Sequence, residues 1–113
     1  MNDCIFCKIL NGEIPSNKVY EDDLVYAFHD IAPAAPVHIL IIPKIHLSGM
    51  NEALPEHQAL LGHILLTAQK LAKELGLSES GYRIINNCGE NAGQTVFHMH
   101  FHLLGGDTFT RLV

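Results

Sequence analysis

Between Gln94 and Leu104 the chain alternates so regularly that it predicts a β-strand, with Phe97, Met99, Phe101 and Leu103 on one face and His98, His100 and His102 on the other. On a helix the same three histidines would fan out around the axis. Earlier in the chain, Val37 to Ile42 is almost uniformly apolar and β-branched, the pattern of a strand buried on both faces, and Pro43 ends it. Lys18 to Glu21 and Leu24 to Asp30 read as a hairpin around Glu21-Asp22-Asp23, and Tyr82 to Asn87 as a further strand. From Pro55 to Glu74, apolar residues at Leu60, Leu61, Ile64, Leu65, Ala68, Leu71, Ala72 and Leu75 mark one face of an amphipathic helix capped by Gly76. A short helix over Cys4 to Leu10 is closed by Gly12, and Pro15 blocks its continuation. Ile31 to Pro36 is an extended loop, and Cys88 to Gln94 a polar one.

One long helix and one short one against about five mainly antiparallel strands make an α+β fold, and 113 residues predict a single domain over 1–113. With 48% hydrophobic and 17% charged residues the chain is globular, and the apolar surplus hints at a buried subunit interface. A net charge of −5 with scattered Lys and Arg argues against nucleic-acid backbone binding, while leaving a small phosphate ligand open. No basic leader precedes an apolar core and no run approaches a membrane span, so a cytoplasmic location is expected. Three cysteines, two of them only three positions apart, suit metal ligation or free thiols better than a disulfide framework.

Imidazole can serve as a nucleophile, a general acid or base, or a metal ligand. Three on one strand face, with His38 interrupting the buried strand nearby, could build several such sites; a polar ring at His38 must in any case be paired. His57 and His63 on the helix read as surface or hydrogen-bonded residues. Cys4-x-x-Cys7 lacks the nearby second pair of a zinc finger, so a closed Cys₂His₂ site would need His46 and one end of the histidine strand. Two buried reduced thiols are the alternative.

These residues together resemble the histidine triad (HIT) family, Hint-like branch. The likeness rests on Cys4-Ile5-Phe6-Cys7-Lys8-Ile9, Phe28-His29-Asp30-Ile31, Pro36-Val37-His38, Ile42-Pro43-Lys44-Ile45-His46, Asn87, Gly93-Gln94-Thr95 and His98-x-His100-x-His102-Leu103-Leu104. The resemblance implies a HIT-like fold and cleavage of the P–N bond of nucleoside 5′-phosphoramidates, or of related nucleotidyl conjugates, releasing a nucleoside monophosphate. His100 would attack phosphorus to form a nucleotidyl-histidine, with His38 orienting or sharing a proton with His100. His102, with Thr95 and backbone N–H groups, would steady the phosphate oxygens. Asp30 would hold the ribose; Phe6, Phe28, Ile31 and Leu40 would wall a purine base; Asn87 and Gln94 would touch phosphate or ribose; His29 and Gly93 complete the implied substrate site. In zinc-carrying members Cys4, Cys7, His46 and His98 would bind a structural zinc. The branch forms two-fold homodimers, for which the long helix and Tyr82 to Asn87 would supply the interface.

The sequence departs from that pattern after Gly105-Gly106, where the tail 107–113 carries no tryptophan, which bears on leaving-group selectivity. Cys88 lies outside the pattern. Two other functions compete: a metal-dependent hydrolase using His98, His100 and His102 as zinc ligands, and a nucleotide-binding or scaffold protein with little turnover.

Overall fold

The computed structural model describes residues 3–112. The apolar run Val37–Pro43 (β3) becomes the central strand of a five-stranded sheet, buried along its length apart from a partly covered Val37. Its neighbours are Val25–His29 (β2) on one side and Phe101–Gly105 (β5) on the other; Lys18–Glu21 (β1) and Tyr82–Asn86 (β4) form the edges, in the order β1-β2-β3-β5-β4. Every pairing is antiparallel. This is the expected α+β architecture.

Register divides the sheet into two chemically distinct faces, because directly opposed residues point the same way. Ala27, Ile41 and Phe101 form one row, and Ile39, Leu103 and Ile84 another. Both rows pack against Leu60, Ile64, Ala68, Leu71 and Ala72 of the helix Gln58–Glu74 (α2). Each fully buried Leu or Ile of this layer contributes roughly 1.5–3 kcal/mol. On the opposite face Phe28, Leu40, His102 and Ile85 lie in one row, and His38, Leu104 and Arg83 in the next. The short helix Ile5–Leu10 (α1) covers part of that face by packing Phe6 and Ile9 on Phe28, Leu40 and Ile42.

The helix face is narrower than its apolar spacing predicts. Leu65 and Leu75 are exposed, whereas Thr67 is buried and satisfies its hydroxyl by donating to the His63 carbonyl at 2.7 Å. A 3₁₀ turn over Pro55–His57 precedes α2, so proline starts the turn rather than the α-helix itself. Gly76 ends it at φ +77°, where a side chain would be strained.

The larger correction concerns the histidine strand, which begins only at Phe101. A 3₁₀ turn over Glu90–Ala92 and the left-handed Gly93 bring the chain in beside the loop after β3, where the Met99 N–H donates to the Leu47 carbonyl at 2.6 Å. Residues 94–100 therefore pair with loop rather than strand, and Phe97 is 49% exposed instead of packing in the core. Alternation nevertheless survives from Met99 onward, with Met99, Phe101 and Leu103 in the helix-side core.

Candidate active site

The backbone decides which nitrogen of each central imidazole carries hydrogen. His100 Nδ1 lies 2.8 Å from the His98 carbonyl, which can only accept, so Nδ1 is protonated and Nε2 presents a lone pair. His98 repeats the logic on its other side: Nε2 lies 2.9 Å from the Pro43 carbonyl, so Nδ1 carries the lone pair. His38 is the reverse case. Its Nδ1 accepts the Ala34 N–H at 3.0 Å, and its neutral ring therefore carries hydrogen on Nε2. That N–H faces His102 Nδ1 at 2.9 Å and Asp30 Oδ2 at 3.4 Å. His102 thus accepts at Nδ1 and, when neutral, presents Nε2–H.

Burial keeps the last two rings neutral. Desolvation lowers the His38 pKa against the opposing pull of Asp30, and lowers that of His102 to about 4, with His100 and His38 adding to the shift. His38 therefore reaches His102, not His100 as expected; the group that orients His100 is the His98 carbonyl. Asp30, His38 and His102 are close enough to suggest a metal site. With His38 Nδ1 saturated by Ala34, however, they form a hydrogen-bonded relay.

A cavity of about 290 Å³ lies on this face of the sheet, with apolar walls from Phe6, Ile9, Phe28 and Leu40 and with His100 and His102 on its lining. Phe6 sits edge-on to His100 with ring centres 5.1 Å apart. His29, Asp30, Ile31 and Thr95 also line it, although Ile31 is 95% exposed and stands at its rim. Ile5, Ile14, Pro15, Ser16 and Val96 complete the wall. These five and Ile9 were not foreseen from the sequence; an Ile-Pro pair following an apolar helix was the available signal.

The remaining expected ligand-site residues lie elsewhere. Gln94 is buried and braces loops: its amide nitrogen donates to the Ser48 and Val96 carbonyls, while its oxygen accepts the Gly89 N–H. Both of its donors are committed. Asn87 donates to the Ala92 carbonyl and lines a separate cavity beyond His102, and Gly93 serves the turn at φ +86°.

Cys4, Cys7, His46 and His98 converge, with four candidate ligand atoms within 4.8 Å of one another. His98 Nδ1 lies 3.4 Å from Cys4 Sγ, 3.6 Å from Cys7 Sγ and 3.1 Å from His46 Nδ1, and Cys7 Sγ lies 3.4 Å from His46 Nδ1. Tetrahedral zinc bonds would set such edges at roughly 3.3–3.8 Å. The donor set fits: two sulfurs and two imidazole nitrogens face one point, and His98 is locked with its lone pair inward. Burial raises the Cys4 pKa, so its thiol stays protonated in the bare site; a bound cation reverses that preference. His98, His100 and His102 do not form a metal-ligating group among the described residues, because His98 belongs to this cluster and His100 points its lone pair elsewhere.

Comparison with known proteins places these features in a wider group. A family model described as HIT domain matches residues 11–109, leaving Cys4 and Cys7 outside the matched segment. The chain is 52% identical over 102 residues to the purine nucleoside phosphoramidase of Escherichia coli K12, covering 90% of this chain and 86% of that protein. Among solved structures it is similar to a HIT family hydrolase from Legionella pneumophila, at TM-score 0.94 and 50% identity with 96% of each chain covered. A histidine triad protein from Clostridium difficile gives TM-score 0.95 at 48% identity, covering 100% of this chain and 98% of the other.

The neutral state of His102 has a pH consequence with a definite sign. Its folded pKa lies below the unfolded value of about 6.5, so folding is unpenalised above that pH and loses stability as pH falls toward 4, because only the unfolded chain takes up the proton. Urea unfolding at pH 6.5 and pH 5 should show His102→Gln losing roughly 1 kcal/mol less than wild type over that interval, after discounting for the partly solvated ring. Equal losses in the two proteins would show that His102 is not held neutral.

Proposed function

The chain belongs to the HIT domain family, and from its site we propose that it is a hydrolase cleaving the P–N bond of purine nucleoside 5′-phosphoramidates, or related nucleotidyl conjugates, through a nucleotidyl-histidine. The observation that carries this reading is the tautomer of His100: its Nδ1–H is committed to the His98 carbonyl and its Nε2 lone pair is left available in a ring that lines the cavity. An imidazole oriented in this way, with Nε2 turned to the cavity, can act as a nucleophile. The phosphoramidase activity named for the Escherichia coli relative supports the substrate class.

His100 Nε2 attacks the α-phosphorus and the P–N bond breaks, its electron pair leaving on the amine, which takes up a proton from solvent. The His98 carbonyl, accepting from Nδ1–H, offsets the positive charge that develops on the imidazole. Water then attacks the same phosphorus and gives up a proton to solvent, displacing His100 and releasing the nucleoside monophosphate. His102 Nε2–H donates to a phosphate oxygen, supported from behind by His38 and Asp30. Phe6, Phe28 and Leu40 hold the base, with Ile31 and His29 at the rim, and Asp30 accepts from the ribose hydroxyls. Thr95 assists at the phosphate. Gln94 and Gly93 act by shaping the loop, and Asn87 faces the leaving-group side.

Cys4, Cys7, His46 and His98 would hold zinc, which supplies a structural cross-link from α1 to the loop after β3 and to the segment bearing His100. The domain spans 1–113. Homodimerisation would cover the free edge of β4 and the exposed Leu65 and Leu66 of α2. The enzyme acts on small nucleotides and is assigned to the cytoplasm; no helix among the described residues is long and apolar enough to cross a membrane.

Three experiments test this reading. Intact mass spectrometry after mixing with adenosine 5′-phosphoramidate should show a nucleotidyl adduct on wild type and none on His100→Ala, whose turnover should fall at least about 10³-fold. Rapid hydrolysis by the variant would refute covalent catalysis, and an inert wild type would leave a nucleotide-binding protein. Protein purified without chelator should contain one zinc per chain, and Cys4→Ser should lose it and melt lower; zinc-free wild type, or an unchanged melting temperature in the variant, would exclude the structural metal. Light scattering should give twice the chain mass of 12.5 kDa, and a monomer would refute the dimer.

A further inference from the structure

A second cavity, about 360 Å³, lies on the far side of His102 from the base cavity. Ala34, His38, Arg83, Asn87, His102 and Leu112 are among its lining residues. His102 therefore stands between two spaces, and His100 lines only the first. In a displacement at phosphorus the leaving group departs roughly opposite the attacking atom. With the base beside Phe6 and the nucleophile at His100, the space beyond His102 is where the departing group must lie.

The chemistry of that space is set by Arg83. Register puts it in the same row as His38 and Leu104, on the ligand face of the sheet. Its guanidinium donates through Nη2 to the Arg111 carbonyl at 2.7 Å and lies over the Phe109 ring, 4.8 Å from its centre. These contacts pin the tail against β4 and fix the head group, but neither neutralises it. No carboxylate among the described residues lies within ion-pair distance of Arg83, in a chain that carries twelve acidic residues against seven basic ones. A guanidinium offers five N–H donors, and only one is engaged among the described residues. Among the described residues it is a half-buried, positioned cation without a counter-ion, at a cavity bordering His38 and His102.

We infer that Arg83 receives an anionic group, a carboxylate or a phosphate, carried by the amine that leaves, so that the enzyme favours nucleotidyl conjugates of acidic amines over neutral ones. This rests on the hydrolase reading above. A planar guanidinium suits such an anion because its hydrogen bonds to it are charge-assisted and directional. Arg83 is thus a specificity residue, and through Arg111 and Phe109 it also places the tail that walls the same cavity.

The test compares leaving groups with and without an anionic group, the first pair being nearly equal in shape. Adenosine 5′-phosphoramidates of β-alanine and of β-alanine amide form one pair, and those of phosphoethanolamine and ethanolamine a second, which separates carboxylate from phosphate as the source of the anion. Wild type should prefer the acidic member of at least one pair by about tenfold in kcat/KM. Arg83→Gln should bring that ratio close to one, and Arg83→Lys should retain part of it. Loss of tail packing alone would slow acidic and neutral substrates alike and leave the ratio unchanged, which would overturn the inference. So would a wild-type ratio near one in both pairs. Failure of wild type to cleave any of the four would overturn the hydrolase reading together with this one.

Discussion

A buried polar atom must find a partner, and in this protein that requirement assigns the protons of the histidines. Backbone carbonyls at His98 and Pro43 and a backbone amide at Ala34 each occupy one nitrogen of a ring, leaving the other nitrogen in a single chemical state. The consequence is a division of labour among side chains of one type. His98 offers a lone pair toward two thiols, His100 offers one at the cavity, and His102 offers an N–H. The differences come from the backbone each ring happens to meet, and the fold holds that backbone in place through the register of β3 and β5 and the loop contacts of residues 94–100. A shift of one residue in that register would reverse every side chain on the strand and dissolve the arrangement.

The two faces of the sheet make this possible without compromise to stability. The rows built on Ile39, Ile41, Phe101 and Leu103 bury against α2 and need no polar residue, so the opposite face is free to carry histidines, an arginine and an incompletely filled apolar cavity. The Cys4, Cys7, His46 and His98 cluster joins three segments distant in sequence close to that cavity, and its member His98 is two residues from His100. Stabilising the cluster and positioning His100 are therefore one structural event: the His98 ring faces the thiols while the His98 carbonyl holds His100.

Much of this was legible in the sequence because it depends on periodicity and composition. The buried strand around Ile39 to Ile42, the long helix and the one-sided histidines all follow from apolar spacing, and the convergence of Cys4, Cys7, His46 and His98 into a candidate metal site follows what the family resemblance implied. What escaped was whatever depends on loops. The histidine strand is shorter than its alternation because the left-handed Gly93 and the loop at Leu47 capture the chain before a neighbouring strand can. The family resemblance implied a ligand contact for Gln94, yet three loop contacts absorb its amide. The resemblance paired His38 with His100, whereas cross-strand register sets Leu40 opposite His102, and His38 reaches His102 along the diagonal.

Charge adds a last constraint on how such a site can work. A phosphate-handling cleft is commonly cationic, but here His38 and His102 are held neutral by burial and the chain as a whole is acidic. In the proposed reaction an anionic phosphate would not be drawn in by net charge; oriented N–H dipoles in a partly dehydrated cavity, where they act more strongly than in water, would hold it. Neutrality would also serve the proposed nucleophile, since a protonated His100 would have no lone pair and neighbouring cations would lower its basicity. Arg83 stands beyond His102, removed from the proposed attacking nitrogen. Under the proposed mechanism, positive charge is thus kept away from the atom that would donate electrons and placed on the side from which electrons would depart with the leaving group.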